Sequence, residues 1–447
     1  MFEKIFFLLS YLRTCYLKNH FSSRENLLKW QQKKMIKHIA LIRRKSTFYK
    51  TLWKGIPDSK WMTFPIIDKL IMMENFNTLN TADIDKDRAF EVALRSENTR
   101  DFSPSINNHT IGLSSGTSGH RGLFLVSKRE QNEWAGTALA KLLPDPIWKK
   151  ARIAFFLRAN SNLYQSVSKG KIQLHYFDML VPLSEHYKKL EILGPTIIIA
   201  PPQVLINLAK EIVRGNLKLN PRKILSVAET LDPLDELTLR KSFNCKIHQV
   251  YQATEGFLGI SCDHGTIHIN EDLVHVEKEF LDKESGRFIP IITDFRRISQ
   301  PIVRYRLNDI LTEKKSPCAC GSHFMGIEQI EGRTDDIFFF ISENDPSKYC
   351  TVFPDFVRRF IIMTTTPIIQ YMVFQDSPEK MLVHLELEKA DSKKEIEEEI
   401  TKNLVELCKT IKAKIPELSF EYFFPDLNSK KLRRVVRRFD KKNISLY

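Results

Sequence analysis

From Gly112 to about Ile341, short β-rich runs alternate with helical patterns, and this alternation is what most limits the fold. The runs RIAFFLR, TIIIAPP, KILSVAE and CKIHQVYQ read as strands, and QVLINLAKEIV between them reads as an amphipathic helix. A strand followed by a helix and another strand points to α/β architecture with largely parallel sheets flanked by helices. The first hundred residues read as mostly helical. In RENLLKWQQKKMIKHIALIRRK, Leu28, Met35, Ile39 and Ile42 form the face predicted to pack on the body of the protein. Beyond Asp336 the pattern becomes α+β. YMVFQ and MLVHLELE read as paired strands, and Ile396, Ile400, Leu404, Leu407, Ile411 and Ile415 form a core stripe at helical spacing. EYFFP reads as a further strand before the basic tail SKKLRRVVRRFDKK. The expected organisation is a large domain over residues 1–334, including the helical segment, and a small α+β domain over 335–447. No internal repeat is present, which argues against a solenoid.

The chain has 447 residues, 43% of them hydrophobic and 27% charged, a balance that suits a globular protein rather than a disordered one. Its formal charge of +14 is compatible with a nucleic acid, an anionic membrane or a polyanionic small ligand. The amino end, MFEKIFFLLSYL, resembles a weak signal-peptide core, but Arg13, Lys18 and Arg24 follow closely and no small-residue cleavage site appears. The expectation is a cytoplasmic protein, with peripheral membrane contact open to it through this end. Stable membrane insertion is not expected, because no stretch reaches the roughly 20 apolar residues of a spanning helix. Seven scattered cysteines, an odd number, argue against a disulfide framework.

In IGLSSGTSGHRGLFLVS, three of the chain's 16 glycines, Gly116, Gly119 and Gly122, fall close together among Ser and Thr. Such a loop offers backbone N–H groups and hydroxyls to phosphate oxygens, although a plain surface turn has the same composition. The two standard glycine-loop patterns, G-x-x-x-x-G-K-[ST] and G-x-G-x-x-G, are absent. KILSVAET ends an apolar run in Ala228, Glu229 and Thr230, and YQATEG, from Tyr251 to Gly256, ends the next. Ligands of open α/β sheets bind at the carboxyl ends of strands, so the two ends can share a crevice. There Tyr251 can stack on a purine, Thr254 can hydrogen-bond phosphate and Glu255 can hold Mg²⁺. TDFRRISQPIVRYRLNDI brings Arg296, Arg297, Arg304 and Arg306 near Asp294 and Asp309, either solvated or paired with these acids. IEGRTDDIF places Gly332, Arg333, Asp335 and Asp336 at the junction of the two regions, where a turn suits a phosphate contact and a hinge.

Taken in order, SSGTSG, AET, YQATE, RYRLND, EGRTDD and a lysine near the carboxyl end resemble the adenylate-forming (ANL) superfamily. The likeness is to the branch of phenylacetate–coenzyme A ligase, the deazaflavin-cofactor AMP-transferring synthetase and capsule-associated relatives. The motifs run from residue 113 to residue 435. The resemblance implies a large adenylation domain for ATP and acyl substrate and a small mobile carboxyl-terminal domain. It implies that Ser114, Ser115, Gly116, Thr117, Ser118 and Gly119 embrace the ATP phosphates and that Ala228, Glu229 and Thr230 line the adenine site, with Tyr251 against the purine. Thr254 then meets the α-phosphate, Glu255 the Mg²⁺, Asp309 the ribose hydroxyls and Arg333 the nucleotide, with Asp335 at the hinge. In NSKKLRRV, Lys431 matches the lysine that serves adenylation and Arg434 the arginine that trails it. Two features depart from the family pattern. His120 and Arg121 follow the second loop glycine where Lys or Pro-Lys is usual, and Lys430 replaces the glycine before the lysine, so the register between Lys430 and Lys431 is open.

Cys318-x-Cys320 followed by Gly321 has the look of a zinc knuckle, and CDHGTIH supplies Cys262, His264 and His268. The resemblance implies a structural zinc on Cys262, His268, Cys318 and Cys320, with His264 as the alternative to His268; reduced cysteines with a surface histidine are the competing reading. The leading expectation is ATP-dependent activation of a small carboxylic acid, aryl or fatty, followed by transfer to coenzyme A or a carrier-protein thiol. AMP transfer to a hydroxyl is the alternative within enzymes. A basic nucleic-acid or membrane binder is the alternative of another class; RNA-binding and zinc-finger signatures are absent, so no nucleic-acid partner is expected. The oligomeric state is open, a homodimer among the states allowed. FFLRANSNLYQSV, with Asn160, Asn162 and Tyr164, is the expected acyl-pocket lining, and its composition names no acid.

Overall fold

The computed structural model describes residues 2–114, 121–157, 170–387, 392–422 and 433–440. The chain divides into two compact units, one formed by Met1–Leu307 with Leu311–Gln329 and the other by Asn308–Ile310 with Ile330–Tyr447. Both are mixed α/β in content.

In the first unit, five strands run parallel in the order Ile172–Asp178, Ala151–Leu157, Ile197–Ala200, Lys223–Ser226 and Ile247–Ala253. Each run of β-branched and aromatic residues in RIAFFLR, TIIIAPP, KILSVAE and CKIHQVYQ supplies one of them. All four residues of Ile197–Ala200 are buried, as a strand covered on both faces requires. Helix Pro202–Val213 begins with proline at its first turn, and helix Pro233–Phe243 is capped by Asp232, whose side chain accepts the Leu234 N–H at 3.0 Å. Leu205, Leu208, Leu239 and Phe243 from these helices pack with Phe156, Phe177, Ile198, Ile224 and Ile247 of the strands. After Ile247–Ala253 the chain reverses, and Gly256–Ser261 and Ile267–Ile269 continue the sheet antiparallel.

A separate three-stranded sheet contains the hairpin His109–Leu113 and Leu123–Ser127. Ser127 then caps helix Lys128–Leu142 in a reciprocal arrangement with Glu130. Helix Phe2–Leu17 lies along that helix and comes so close at Gly136 that a Cβ there would sit 2.2 Å from the Phe7 carbonyl oxygen. Helix Arg24–Lys45 buries Leu27, Gln31, Met35, His38, Ile39 and Ile42. Leu28, expected on that face, is exposed instead. The stripe at positions 27, 31, 35, 39 and 42 keeps an unbroken helical spacing, which Gln31 completes because its amide donates to the Glu271 and Val274 carbonyls at 2.7 and 3.1 Å.

The second unit has a four-stranded sheet in the order Glu417–Glu421, Lys380–Leu387, Ile368–Ser377 and Val435–Arg437. The paired strands expected from YMVFQ and MLVHLELE form, with Met372 opposite His384. Helix Lys393–Ile411 buries Ile396, Ile400, Leu404 and Cys408, while Leu407 and Ile411 pack at the edge of the same core. Ile415 is not part of this stripe. Lys412 turns into the left-handed region at φ 54 and ends the helix, leaving Ile415 exposed. The strand expected at EYFFP comes earlier, at Glu417–Glu421, and Phe423 and Phe424 lie outside the described residues.

Candidate active site

Strands Lys223–Ser226 and Ile247–Ala253 are parallel neighbours, with Ser226 opposite Gln249, so both run out at the same edge of the sheet. Ala228, just past the first, has φ +69, a left-handed conformation that costs a residue with a Cβ about 1 kcal/mol or more. The turn holding Ala228, Glu229 and Thr230 is therefore fixed by its surroundings rather than by local preference. Tyr251, on the second strand, is buried. Ala253 pairs with Gly256 across a tight hairpin, leaving Thr254 and Glu255 as its two-residue tip. The structure thus brings AET and YQATE together at the carboxyl edge, where the sequence placed them.

Glu255 is anchored by Tyr305, whose hydroxyl donates to Oε1 at 2.9 Å. Tyr305 lies on strand Ile302–Arg306 and is buried; burial, reinforced by the Glu255 charge, pushes its phenol far above the usual range and keeps it a hydrogen-bond donor. Arg297 donates to the Thr254 carbonyl at 3.3 Å and to the Leu125 carbonyl at 3.4 Å. One guanidinium therefore ties the Thr254–Glu255 tip to the hairpin that flanks the Ser/Gly-rich loop. Of that loop, Ser114 is described. Its Oγ accepts the Gly122 N–H at 2.7 Å, and its N–H donates to the Gly122 carbonyl at 2.8 Å. Ser115, Gly116, Thr117, Ser118, Gly119 and His120 lie outside the described residues, as do Asn160, Asn162 and Tyr164.

Behind the tip, Asp294 is fully buried, and burial pushes its carboxyl up to about 6 against the opposing pull of Arg297 and Arg296. The buried Glu130 accepts the Ile298 and Ser299 N–H groups at 2.7 and 3.0 Å, which fixes the loop after Arg297. The arginine cluster is paired, as one of its two readings had it, but mostly with other acids. Arg304 and Arg306 make two-pronged contacts to Glu277 and Glu279, and Arg296 reaches Glu133 at 3.3 Å. Tyr305 was not singled out by sequence, and Arg297 was named only as one of the arginine cluster, without its carbonyl partners. The available signal was the buried Tyr between two part-buried arginines in VRYR, a strand alternation.

In the second unit, Asp309 and Arg333 face one another, with Nε of Arg333 3.7 Å from Oδ1 of Asp309. Asn308 holds this junction together; its side chain donates to Asp335 at 3.1 Å and its carbonyl accepts the Thr334 N–H at 2.8 Å. Gly332 has φ +137, a conformation open to glycine alone in practice. Arg433 pairs with the buried Asp336. Arg434, the trailing arginine of the sequence reading, is buried over the Tyr371 ring at 4.8 Å and donates to the Tyr371 carbonyl at 3.1 Å. Lys430 and Lys431 lie outside the described residues.

In the first unit, the ligand atoms of Cys262, His268, Cys318 and Cys320 converge within 4.8 Å of one another. Cys262 Sγ lies 3.6 Å from Cys318 Sγ, and Cys320 Sγ lies 3.2 Å from His268 Nε2. Tetrahedral zinc with bonds of about 2.3 Å has ligand atoms about 3.7 Å apart, so the cluster has the dimensions of such a site. His268 Nδ1 lies 3.1 Å from the Phe324 carbonyl, which fixes the tautomer that presents Nε2 to a metal. Burial raises the Cys318 thiol, but hydrogen bonds from the Cys320 backbone, Thr266 and His268 outweigh it and bring the group down to about 6. His264 lies outside this cluster, on an exposed turn.

No family model matches the sequence. Protein CapK of Staphylococcus aureus is 25% identical over 207 residues, which is 45% of this chain and 44% of that protein, so the match spans less than half the length of this curated relative. Among solved structures, a 2-hydroxyisobutyryl-CoA ligase in the postadenylation state with R3-HIB-AMP has a TM-score of 0.68 at 14% identity, over 92% of this chain and 89% of the other. A GH3.15 acyl acid amido synthetase has a TM-score of 0.59 at 12% identity, over 94% and 93%. The anthranilate CoA ligase AuaEII with anthranoyl-AMP has a TM-score of 0.51 at 13% identity, over 73% and 66%. The chain has the fold of the adenylate-forming enzymes. That fold is shared here with CoA ligases and an amido synthetase alike.

Proposed function

We propose that the protein is an ATP-dependent ligase that activates a carboxylic acid, aryl or fatty, as its acyl-adenylate and passes the acyl group to the thiol of coenzyme A or of a carrier protein. The observation that carries this reading is the convergence of the strained Ala228 turn and the Thr254–Glu255 tip at one sheet edge, with Arg297 joining the tip to the hairpin of the Ser/Gly-rich loop. A carboxylate is a poor acyl donor; its attack on the α-phosphate of ATP makes AMP the leaving group. The protein has to align the two anions and offset their charge. In this reading the loop Ser114–Gly119 supplies N–H and hydroxyl donors to the phosphates, Thr254 meets the α-phosphate, and Ala228–Thr230 with Tyr251 hold the adenine. Asp309 takes the ribose hydroxyls beside Arg333. The Glu255 carboxylate is a hard oxygen donor of the kind Mg²⁺ takes, and the metal would offset phosphate charge when bound.

Lys431, on the smaller carboxyl-terminal domain, is assigned the cation of the adenylation step, with Asp335 at the hinge that brings it in and withdraws it. The Cys262, His268, Cys318 and Cys320 cluster is assigned a structural zinc, because four protein ligands leave no position for water. The test is acid-dependent exchange of pyrophosphate into ATP, screened over aryl and aliphatic acids, with Glu255→Gln as the control. Exchange that needs an acid and collapses in the variant supports the reading. Exchange that needs a hydroxyl compound and no acid favours AMP transfer to a hydroxyl instead.

A further inference from the structure

Helix Phe2–Leu17 is apolar on two faces. One buries Phe7, Tyr11 and Leu17, together with Ser10 and Thr14, against the body of the first unit. The other presents Ile5, Leu8, Leu9, Leu12 and Tyr16, each between 46% and 62% exposed. At about 100° per residue these five fall within an arc of about 100°. None carries a charge, and a continuous apolar stripe of this kind on a water-facing surface marks a contact with something apolar.

The aromatic residue held beside the stripe and the charge of this part of the chain identify that contact. Trp148 is 65% exposed and is held beside the helix through the Ile147 N–H, which donates to the Tyr11 hydroxyl at 3.3 Å. The first 54 residues contain thirteen Lys and Arg and two acids, Glu3 and Glu25, so eleven of the chain's fourteen net positive charges lie there. Lys18, Lys33 and Lys37 are exposed, as is Lys150 beside Trp148, while Lys29 is paired with Glu25 and Lys149 and Arg222 with Asp145. Exposed Leu and Ile with Tyr and Trp beside them, in the part of the chain that carries most of its net positive charge, match the chemistry of a bilayer interface with anionic headgroups. A nucleic acid would use the cations but not the leucines. The helix has 16 residues, and among the described residues no helix is long and apolar enough to cross a membrane, so the contact lies in the plane of the surface.

We propose that this first helix docks the protein on the surface of an anionic phospholipid bilayer, with Ile5, Leu8, Leu9, Leu12 and Tyr16 entering the boundary between headgroups and acyl chains. The test is co-sedimentation of the full-length protein with vesicles of phosphatidylglycerol and phosphatidylcholine, or of phosphatidylcholine alone. Binding to the anionic vesicles is expected to exceed binding to neutral ones by about tenfold or more and to weaken with salt. The combined Leu8→Gln, Leu9→Gln and Leu12→Gln variant, altered at exposed positions, should keep the wild-type melting temperature and lose binding by on the order of 100-fold. No vesicle binding by the wild type, or equal binding by the variant, overturns the proposal. So does a concentration-dependent dimer that the variant abolishes in the absence of vesicle binding, since the stripe would then be a face for a second copy. Binding to duplex DNA without vesicle binding would assign the cations elsewhere and overturn it equally.

Discussion

Tyr305 donates its hydroxyl to Oε1 of Glu255 across 2.9 Å, joining two residues 50 positions apart in the chain. The tyrosine is itself fixed on both sides. Its strand pairs with Arg287–Asp294, placing Tyr305 opposite Ile292, and the Arg306 N–H donates to the Ile67 carbonyl at 2.8 Å. A buried phenol with no tendency to ionise is a steady donor, so the carboxylate at the hairpin tip is held in one orientation.

Tyr305→Phe removes that donor while keeping the ring that fills the core. We expect a loss of stability of about 1 kcal/mol and a fall in acid-dependent pyrophosphate exchange of on the order of tenfold, as for a misoriented metal-binding carboxylate. Unchanged exchange with raised Mg²⁺ demand would fit too; unchanged exchange at every Mg²⁺ concentration would remove Tyr305 from the site.

Purified, reduced protein should carry about one zinc per chain, as four protein ligands demand. Cys318→Ser and Cys320→Ser should each lower metal content and melting temperature together, as should prolonged chelation. His264→Ala, outside the cluster, should leave both unchanged. Elemental analysis and thermal melting check this, and full zinc in Cys318→Ser would refute the ligand set.

Acid should destabilise the first unit in a defined window. His38 and His275 are held neutral by burial, each brought down to about 4, so their contribution to stability is complete above about pH 6.5 and is lost as pH falls towards 4. Each contributes about 3 kcal/mol over that window, whereas Asp294, raised to about 6, opposes them because its protonation in the same window favours the folded state. The two histidines outweigh the one acid. Urea unfolding at several pH values should show a net loss of about 3 kcal/mol, steepened in Asp294→Asn, which should also be the more stable protein at pH 7.

Lys431→Ala should slow adenylate formation by on the order of 100-fold or more, while a supplied acyl-adenylate is still consumed by the thiol. Lys430→Ala should have a small effect on both steps. A reversal between the two variants would shift the register by one residue, and equal mild effects would withdraw the lysine assignment.

What could be read from sequence follows the range of the interactions. The parallel strands were legible because runs such as Ile197–Ala200 are apolar along their whole length, a local property. On the inward face of helix Arg24–Lys45, Met35, Ile39 and Ile42 were legible and Leu28 stood where Leu27 belongs; Gln31, which continues the stripe from Leu27, was not, since nothing local says that its amide meets the Glu271 carbonyl at 2.7 Å. The arginine partners Glu277 and Glu279 were missed for the same reason, since they lie on strand Val274–Asp282, separated from the arginines' strand by Arg287–Asp294. AET and YQATE were legible as strand ends. That Arg297 would link the tip of one to a distant hairpin was not, because its two carbonyl partners, those of Thr254 and Leu125, are far apart in the chain.

The close fit at Gly136 has a consequence for the order of events in synthesis. Helix Phe2–Leu17 is complete more than a hundred residues before helix Lys128–Leu142, the surface that buries its inner face. At roughly 5–20 residues per second, the nascent chain carries that helix for roughly 5–20 s with no partner for either apolar side. During that interval both apolar sides are open to a lipid surface or a chaperone, so the contact proposed for the outer side is available before the inner one can be built.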